Sequence, residues 1–387
     1  MRVLHVLEAT IGGTKRHLLD LLPGLTEQGI HVEVACPRLR TEHHGDTSLW
    51  HDLHTLGIPT HELPMTRRPL SRPNLSALPT LTRLIRRGSF DVVHAQSSIA
   101  GALARPAAAL SGRRPKVVYS PHGYAFLSAE WGRRATAFRL LERLLSRLTD
   151  RVIAVSDAEA QDAIRNGVVR GNQITVIPNG VVSADFPTQR QPIERLAPQL
   201  GAWSGAPLVG TIARMTPQKD PLTWLRLAAR VRESLPAARF VWIWGGGALE
   251  QDVYDETDRL GLRQHVAFLG HRPDARQLLG ALDVFLLTSR FEGLPYSVIE
   301  ALAARTPVVA TDVAGTRDVV KHGLTGLLAQ PGAIAALAEH VLTLLRDQAL
   351  ARRLGAAGRA DVLDRFSVEQ MVDRTRQLYE QLVARGR

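Results

Sequence analysis

Short apolar runs of four to six residues alternate with amphipathic stretches along the whole chain. In the first half the runs lie at 2–7, 31–35, 92–95, 116–120, 151–155 and 174–177. In the second they lie at 208–212, 239–244, 266–269, 284–287 and 307–310. Between them apolar residues recur at helical spacing. Leu18, Leu21, Leu22 and Leu25 share one face, and 50–56, 75–87, 99–110 and 133–148 read as helices too. Near-continuous apolar strands separated by helices predict parallel sheets covered on both faces. The pattern lapses where Pro178, Pro187, Pro192, Pro198 and Pro207 follow one another, which predicts an interdomain linker over 178–207. A helical tail runs over 331–387, broken near Phe366 and Ser367. A chain of 387 residues exceeds one hydrophobic core, so two domains are expected.

Composition adds boundaries. The apolar fraction of 45% and the charged fraction of 22% are those of a globular protein. The single cysteine, Cys36, excludes an intrachain disulfide and suits a reducing compartment. The first seven residues contain Arg2 and His5 and read as a strand rather than a signal core. The apolar stretch 99–110 is interrupted by Arg105, and no run reaches membrane-spanning length. A cytoplasmic protein is expected, with peripheral attachment to the inner face of the membrane as its variant.

Charge is uneven. The chain carries +11, and 65–151 alone holds sixteen cations against four acids, an excess of +12. Such a face suits nucleic acid, a membrane or acidic substrates. Regular aromatic interleaving is missing, which argues against nucleic acid. Within this region Phe138, Leu141, Leu144, Leu145 and Leu148 recur at helical spacing. The expectation is leucines packed inward on the sheet and arginines outward, to solvent or to an anionic bilayer.

Candidate chemistry sits where strands end. Ser289-Arg290-Phe291-Glu292-Gly293-Leu294-Pro295-Tyr296-Ser297-Val298-Ile299-Glu300 joins an apolar strand to a helix, and a glycine turn before a helix is an anion site. Glu292 belongs in the loop and Glu300 in the first turns of the helix. Both could face a ligand, or Glu292 could be a solvated acid and Glu300 part of a capping box with Ser297. Arg214 and Lys219, five residues apart after a strand, can clamp a diphosphate or be surface charges. Lysine is scarce, at four residues, which favours function for Lys219. Gly12-Gly13 opens a helix but lacks the Gly-x-Gly-x-x-Gly spacing of dinucleotide dehydrogenases. His122, in Pro121-His122-Gly123, stands at the carboxyl end of a strand, facing the crevice or satisfied in the core. There is no Asp-x-Asp triplet, so no Mg²⁺ clamp and no metal site is expected.

The stretch from Ser289 to Glu300 resembles the signature of the GT4-type retaining glycosyltransferases, similar in particular to those of bacterial polysaccharide synthesis. The resemblance extends over nearly the whole chain, through Gly12-Gly13 with His17, Gln96-Ser97-Ser98, Pro121-His122-Gly123 with Tyr124-Ala125-Phe126, Arg214 with Lys219, Gly245-Gly246-Gly247 and Phe268-Leu269-Gly270-His271. It implies an α/β GT-B fold, two Rossmann-like domains with parallel sheets facing across a cleft. The implied domains are 1–182, with a helix near 368–387 crossing back, and 183–367. It implies His122 and Glu292 as catalytic residues against the donor sugar. Gly13, Arg214, Lys219, Leu269, His271, Gly293, Leu294 and Glu300 would bind the donor, Glu300 through the ribose hydroxyls and the segment around Leu269 through the nucleobase. The expected reaction moves a hexose from a nucleotide-diphospho-sugar, a UDP-sugar first among donors, to a lipid-linked glycan, with no metal and no cofactor. An epimerase of the same fold, or a transferase for a soluble acceptor, is the alternative. Ala213 where glycine is usual, Ala314-Gly315 in place of Gly-Gly and Asp318 in place of glutamate depart from the pattern.

Overall fold

Each expected strand forms to within one residue at either end, and every strand pairing is parallel. The structure, a computed structural model, describes residues 1–39, 47–127, 132, 134–187 and 191–385. It divides into two units, Met1–Gly180 with Val368–Arg387, and Val181–Ser367.

The first unit holds seven strands: β1 (Arg2–Leu7), β2 (His31–Cys36), β3 (Thr60–Glu62), β4 (Val92–Gln96), β5 (Lys116–Ser120), β6 (Arg151–Ala154) and β7 (Ile174–Val176). Their order is β3-β2-β1-β4-β5-β6-β7, with Leu4 of β1 between Glu33 and Val93. The edge strand β3 is too short and too polar to show as an apolar run. Helices Gly12–Glu27 and Val368–Ala384 cover one face through Leu18, Leu22, Met371 and Tyr379. Helices Arg72–Gly88 and Ser98–Leu110 cover the other through Leu81, Ile85 and Ala104. The C-terminal helix comes so close that a Cβ on Gly24 would lie 2.7 Å from Val372.

The second unit holds β8 (Leu208–Ile212), β9 (Arg239–Ile243), β10 (Val266–Gly270), β11 (Val284–Leu287), β12 (Val308–Thr311) and β13 (Leu327–Ala329), in the order β10-β9-β8-β11-β12-β13. Trp224 meets Phe240 and Trp242 edge to face inside its core. From Val181 the proline-rich stretch groups with this unit and carries the short helix Ile193–Leu196. The tail is three helices, Ile334–Arg346, Gln348–Arg365 and Val368–Ala384. Its extra break comes at Asp347, whose carboxylate accepts the Leu350 N–H at 2.9 Å and so caps the second helix.

The basic region departs from expectation. The helix expected over 133–148 runs Arg134–Leu145 and ends in the 3₁₀ turn Ser146–Leu148; Arg133 lies outside the described residues. Of the residues expected inward, Phe138 packs against the core and Leu145 is half-buried, but the other leucines face out. Leu140, Leu141, Leu144 and Leu148 are 53%, 42%, 59% and 38% exposed, and the buried residue of the helix is Glu142. Arg105 Nη2 and the Tyr119 hydroxyl each donate to the Glu142 carboxylate at 2.8 Å, and the guanidinium lies 4.2 Å from the Tyr119 ring centre. Turning the leucines inward would strip Arg105, 1% exposed, of its counter-charge, at a cost of about 3–5 kcal/mol. A buried ion pair therefore sets the rotation of this helix. The pair removes one cation and one acid, so the regional excess of positive charge is unchanged.

Candidate active site

In both sheets the strand order reverses once, between β1 and β4 in the first unit and between β8 and β11 in the second. Ligands of open α/β sheets bind outside the carboxyl ends of strands at such a point. Gly13, Arg214, Lys219 and Glu292 follow strands that flank the reversals, His122 follows β5 one strand further out, and Leu269 and His271 lie at the end of the edge strand β10.

In the first unit, Gly12, at φ +72°, turns the chain from β1 into helix Gly12–Glu27, which places Gly13 exposed in its first turn. First-turn N–H groups have no partner within the helix. His17, one turn further, is 3% exposed, and its Nδ1 lies 3.1 Å from Asn179 Oδ1. His122 follows β5 in the left-handed region, at φ +52°. Its ring centre is 4.7 Å from that of His17, and its Nε2 lies 2.6 Å from Gln96 Oε1 at the end of β4. Behind Gln96 stand His5 and His94, each with Nδ1 3.3 Å from the Gln96 amide nitrogen. Burial pushes all four imidazoles down, His5 to about 3, His17 to about 4, and His94 and His122 well below their ordinary value. They are uncharged hydrogen-bonding groups at neutral pH.

Glu159 supports this array and was not singled out in the sequence. Its carboxylate accepts the Gly123 N–H at 2.6 Å and the Val155 N–H at 2.8 Å, while its own N–H bonds the Ser156 hydroxyl at 3.1 Å. It thus ties the turn carrying His122 to the start of helix Asp157–Arg165. Burial raises its carboxyl to about 7, against the pull of those two N–H groups. Ser156 to Glu159 has capping-box spacing, so a helix start was legible there. The bond to Gly123 was not.

In the second unit, the loop after β8 carries Arg214 and Lys219, and the loop after β11 carries Glu292. The two loops are braced against each other. The Arg290 N–H bonds the Gln218 carbonyl at 2.8 Å, Gln218 Nε2 donates to the Phe291 carbonyl at 3.1 Å, and the Thr288 hydroxyl donates to the Lys219 carbonyl at 3.0 Å. Lys219 Nζ sits 2.5 Å from Glu292 Oε1, which the Ser289 hydroxyl also reaches at 2.5 Å. Lys219 therefore holds the glutamate, and because an ammonium has three donors the pair leaves others open to a ligand. Arg214, half-buried, stands at the start of the same loop.

Glu300 lies in the second turn of helix Tyr296–Ala303. The helix begins after Pro295 without a side-chain cap, so the capping-box reading of Ser297 and Glu300 does not hold. Arg276 Nε is 3.3 Å from Glu300 Oε1, and the same guanidinium pairs with Asp185. Gly293 and Leu294 continue the loop from Glu292, Leu294 buried. Leu269 is in β10, and the exposed His271 packs 4.5 Å from the Trp244 ring centre.

Two glycines are required by close approach. A Cβ on Gly315 would meet the Gly293 carbonyl oxygen at 2.3 Å, and one on Gly247 the Met215 carbonyl oxygen at 2.2 Å. The turn at 245–247 thus packs on the Arg214 loop, and Gly315 backs the glutamate loop. Arg276, Glu159 and Asn179 escape a sequence reading because each acts through a contact distant in the chain, and the sequence marks Gly315 without showing what it packs on. Among the described residues no cluster of three His, Cys, Asp or Glu side chains is placed to hold a metal ion.

The model of the family described as Glycosyltransferase Family 4 matches residues 11–184, and that described as Glycosyl transferases group 1 matches 192–361. The putative glycosyltransferase EpsD of Bacillus subtilis is 32% identical over 320 residues, spanning 80% of this chain and 83% of EpsD. The UDP-Gal:alpha-D-GlcNAc-diphosphoundecaprenol alpha-1,3-galactosyltransferase of Escherichia coli is 29% identical, spanning 80% of both chains. Among solved structures, Anabaena HepE in complex with UDP and glucose superimposes with a TM-score of 0.83 at 24% identity, over 98% of this chain and 100% of HepE.

Proposed function

The chain belongs to the GT4-type glycosyltransferases and has the GT-B fold, and from that premise we propose that it is a metal-independent, retaining hexosyltransferase of polysaccharide synthesis. Its donor is a nucleotide-diphospho-sugar, a UDP-sugar first. HepE was solved with UDP and UDP-glucose, and the E. coli relative is named for UDP-Gal. The observation that carries the reading is the braced pair of loops at the strand reversal of the second sheet, with Lys219 fixed on Glu292.

In this reading Arg214 and Lys219 take the charge of the departing diphosphate, with Gly13 and helix-start N–H groups adding donors. Glu300 accepts from the ribose hydroxyls, and the backbone at Leu269 and His271 meets the base. Gly293 and Leu294 line the diphosphate and sugar. Glu292 and His122 bind the hexose. The acceptor hydroxyl forms its bond to C1 on the face from which the diphosphate leaves, and its proton passes to the departing phosphate oxygen. Incubation with labelled UDP-, GDP- and ADP-sugars, with and without EDTA, tests this. Release of UDP with an α-linked product, unaffected by chelation, is expected. An α-linked donor giving a β-linked product, activity lost to EDTA and restored by Mg²⁺, or only an epimerised donor would overturn it.

The acceptor we assign is a lipid-linked glycan, reached at an anionic membrane surface. The exposed leucines of helix Arg134–Leu145 support this, because they stand among Arg134, Arg139, Arg143 and Arg147. Apolar side chains with neighbouring arginines favour an anionic interface, each basic residue contributing about 1 kcal/mol. No helix among the described residues is long and apolar enough to cross a membrane. Vesicle co-sedimentation should show salt-sensitive binding to anionic vesicles, lost in a Leu140→Ser, Leu144→Ser double variant. Equal, negligible binding to neutral and anionic vesicles at low salt would favour a soluble acceptor.

A further inference from the structure

Three hydrogen-bonding side chains lead from the C-terminal helix to His122, and the proton positions along them follow from one end. Tyr379, on helix Val368–Ala384, is fully buried, and its hydroxyl lies 2.5 Å from His94 Nδ1. Among the described residues this is its hydrogen-bond partner. Burial raises the phenol well above its ordinary value, so the hydroxyl keeps its proton. A buried O–H with one partner donates to it, since otherwise its hydrogen is left unsatisfied. His94 Nδ1 is then an acceptor. The ring, uncharged because it is buried, carries its proton on Nε2, 2.8 Å from the Ser120 hydroxyl. A lone pair on His94 Nδ1 requires the NH₂ end of Gln96 to face it, as it does, 3.3 Å away and equally near His5 Nδ1. The carbonyl end of Gln96 must then point to His122, whose Nε2 lies 2.6 Å from it and must supply the proton.

We propose that the Tyr379 hydroxyl, acting through His94 and Gln96, fixes His122 as the tautomer protonated on Nε2, so that its Nδ1 accepts a hydrogen bond from a hydroxyl of the bound sugar. Tyr379, His94 and Gln96 are positioning residues, and the last part of the inference rests on the assignment of His122 to the donor sugar. The alternative arrangement satisfies every group but the phenol. If Gln96 turns over, its NH₂ faces His122 and its carbonyl faces His94, and every proton in the chain moves to the other nitrogen. The phenolic proton decides between the two, because only one of them gives it an acceptor.

Histidine-selective ¹⁵N labelling with long-range ¹H–¹⁵N correlation reads the tautomer of each ring directly, the His122 signal being identified by its loss in His122→Ala. Wild type should show His122 protonated on Nε2 alone. Tyr379→Phe, which keeps the ring packing, and Gln96→Leu should each give a mixture. Their kcat should fall about ten-fold with donor KM unchanged, the scale at which groups orienting an active imidazole act. A wild-type His122 protonated on Nδ1, or the same single tautomer in Tyr379→Phe as in wild type, would overturn the relay. If the tautomer shifts as expected while His122→Ala keeps wild-type turnover, the relay stands and the assignment of His122 to the sugar falls.

Discussion

The two units solve the same geometric problem with opposite electrostatics. Each is a doubly wound parallel sheet whose candidate site loops leave the carboxyl ends of strands at or next to the point of reversal. In the first unit burial strips those groups of charge, leaving His5, His17, His94 and His122 as neutral donors and acceptors ordered by amide and hydroxyl partners. In the second the groups are ordered by ion pairing, Lys219 on Glu292 and Arg276 on Glu300. The difference follows from what each unit is proposed to hold. Neutral imidazoles discriminate among hydroxyls without attracting counter-ions, whereas a diphosphate needs fixed positive charge. Topology places the loops, and the depth of burial decides which chemistry they can offer.

Breaking either array at its centre should give the largest effect. His122→Ala and Glu292→Gln should each lower kcat about 100-fold or more, with nucleotide affinity measured by calorimetry nearly unchanged. Equal losses in affinity and rate would reduce both to donor-binding groups.

The first array should also respond to pH through Glu159. Its carboxyl binds a proton more tightly in the fold, at about 7, than at the ordinary 4.5. Its contribution to stability is therefore greatest below about 4.5 and is lost as pH rises to about 7. Relative to Glu159→Gln, wild type should lose on the order of 3 kcal/mol of unfolding free energy between pH 4.5 and pH 7.5, by urea titration. Parallel curves for the two proteins would place the carboxyl at its ordinary value.

Removing a charge from the second array should act on binding. Lys219→Ala should weaken nucleoside diphosphate by about 1.5–3 kcal/mol and, because Glu292 loses its partner, lower kcat as well. UDP, GDP and ADP all binding as to wild type would take Lys219 out of the diphosphate site. The smallest effect is expected from Glu300→Ala, a rise in donor KM of about ten-fold as the ribose hydroxyls lose their acceptor to water. A fall in thermal stability with unchanged kinetics would confine Glu300 to its pair with Arg276.

Much of this was legible in the chain. Apolar runs located eleven of the thirteen strands of the described residues, and the two they missed, β3 and β13, are three-residue edge strands without room for a pattern. The strand-to-helix turns located the loops of Gly13, His122, Arg214, Lys219 and Glu292, because strand ends and glycines are local features. The rotation of helix Arg134–Leu145 was not legible. Periodicity weighs leucines, and the anchor is an acid, Glu142, whose partners Arg105 and Tyr119 lie on other elements. The linker was blurred for a related reason: prolines mark irregular backbone, not the unit that irregular backbone packs on.

What the sequence by itself determined is therefore what short-range spacing encodes: alternation of strand and helix, the turns at strand ends and the regional charge. Only the tertiary structure decided which ionisable groups meet and in which protonation state. His94 finds Tyr379 across 285 residues, Lys219 finds Glu292 across 73, and Glu159 reaches Gly123 across 36. A proton's position depends on burial and on partners within about 3 Å. Both are properties of packing, and a linear pattern carries neither.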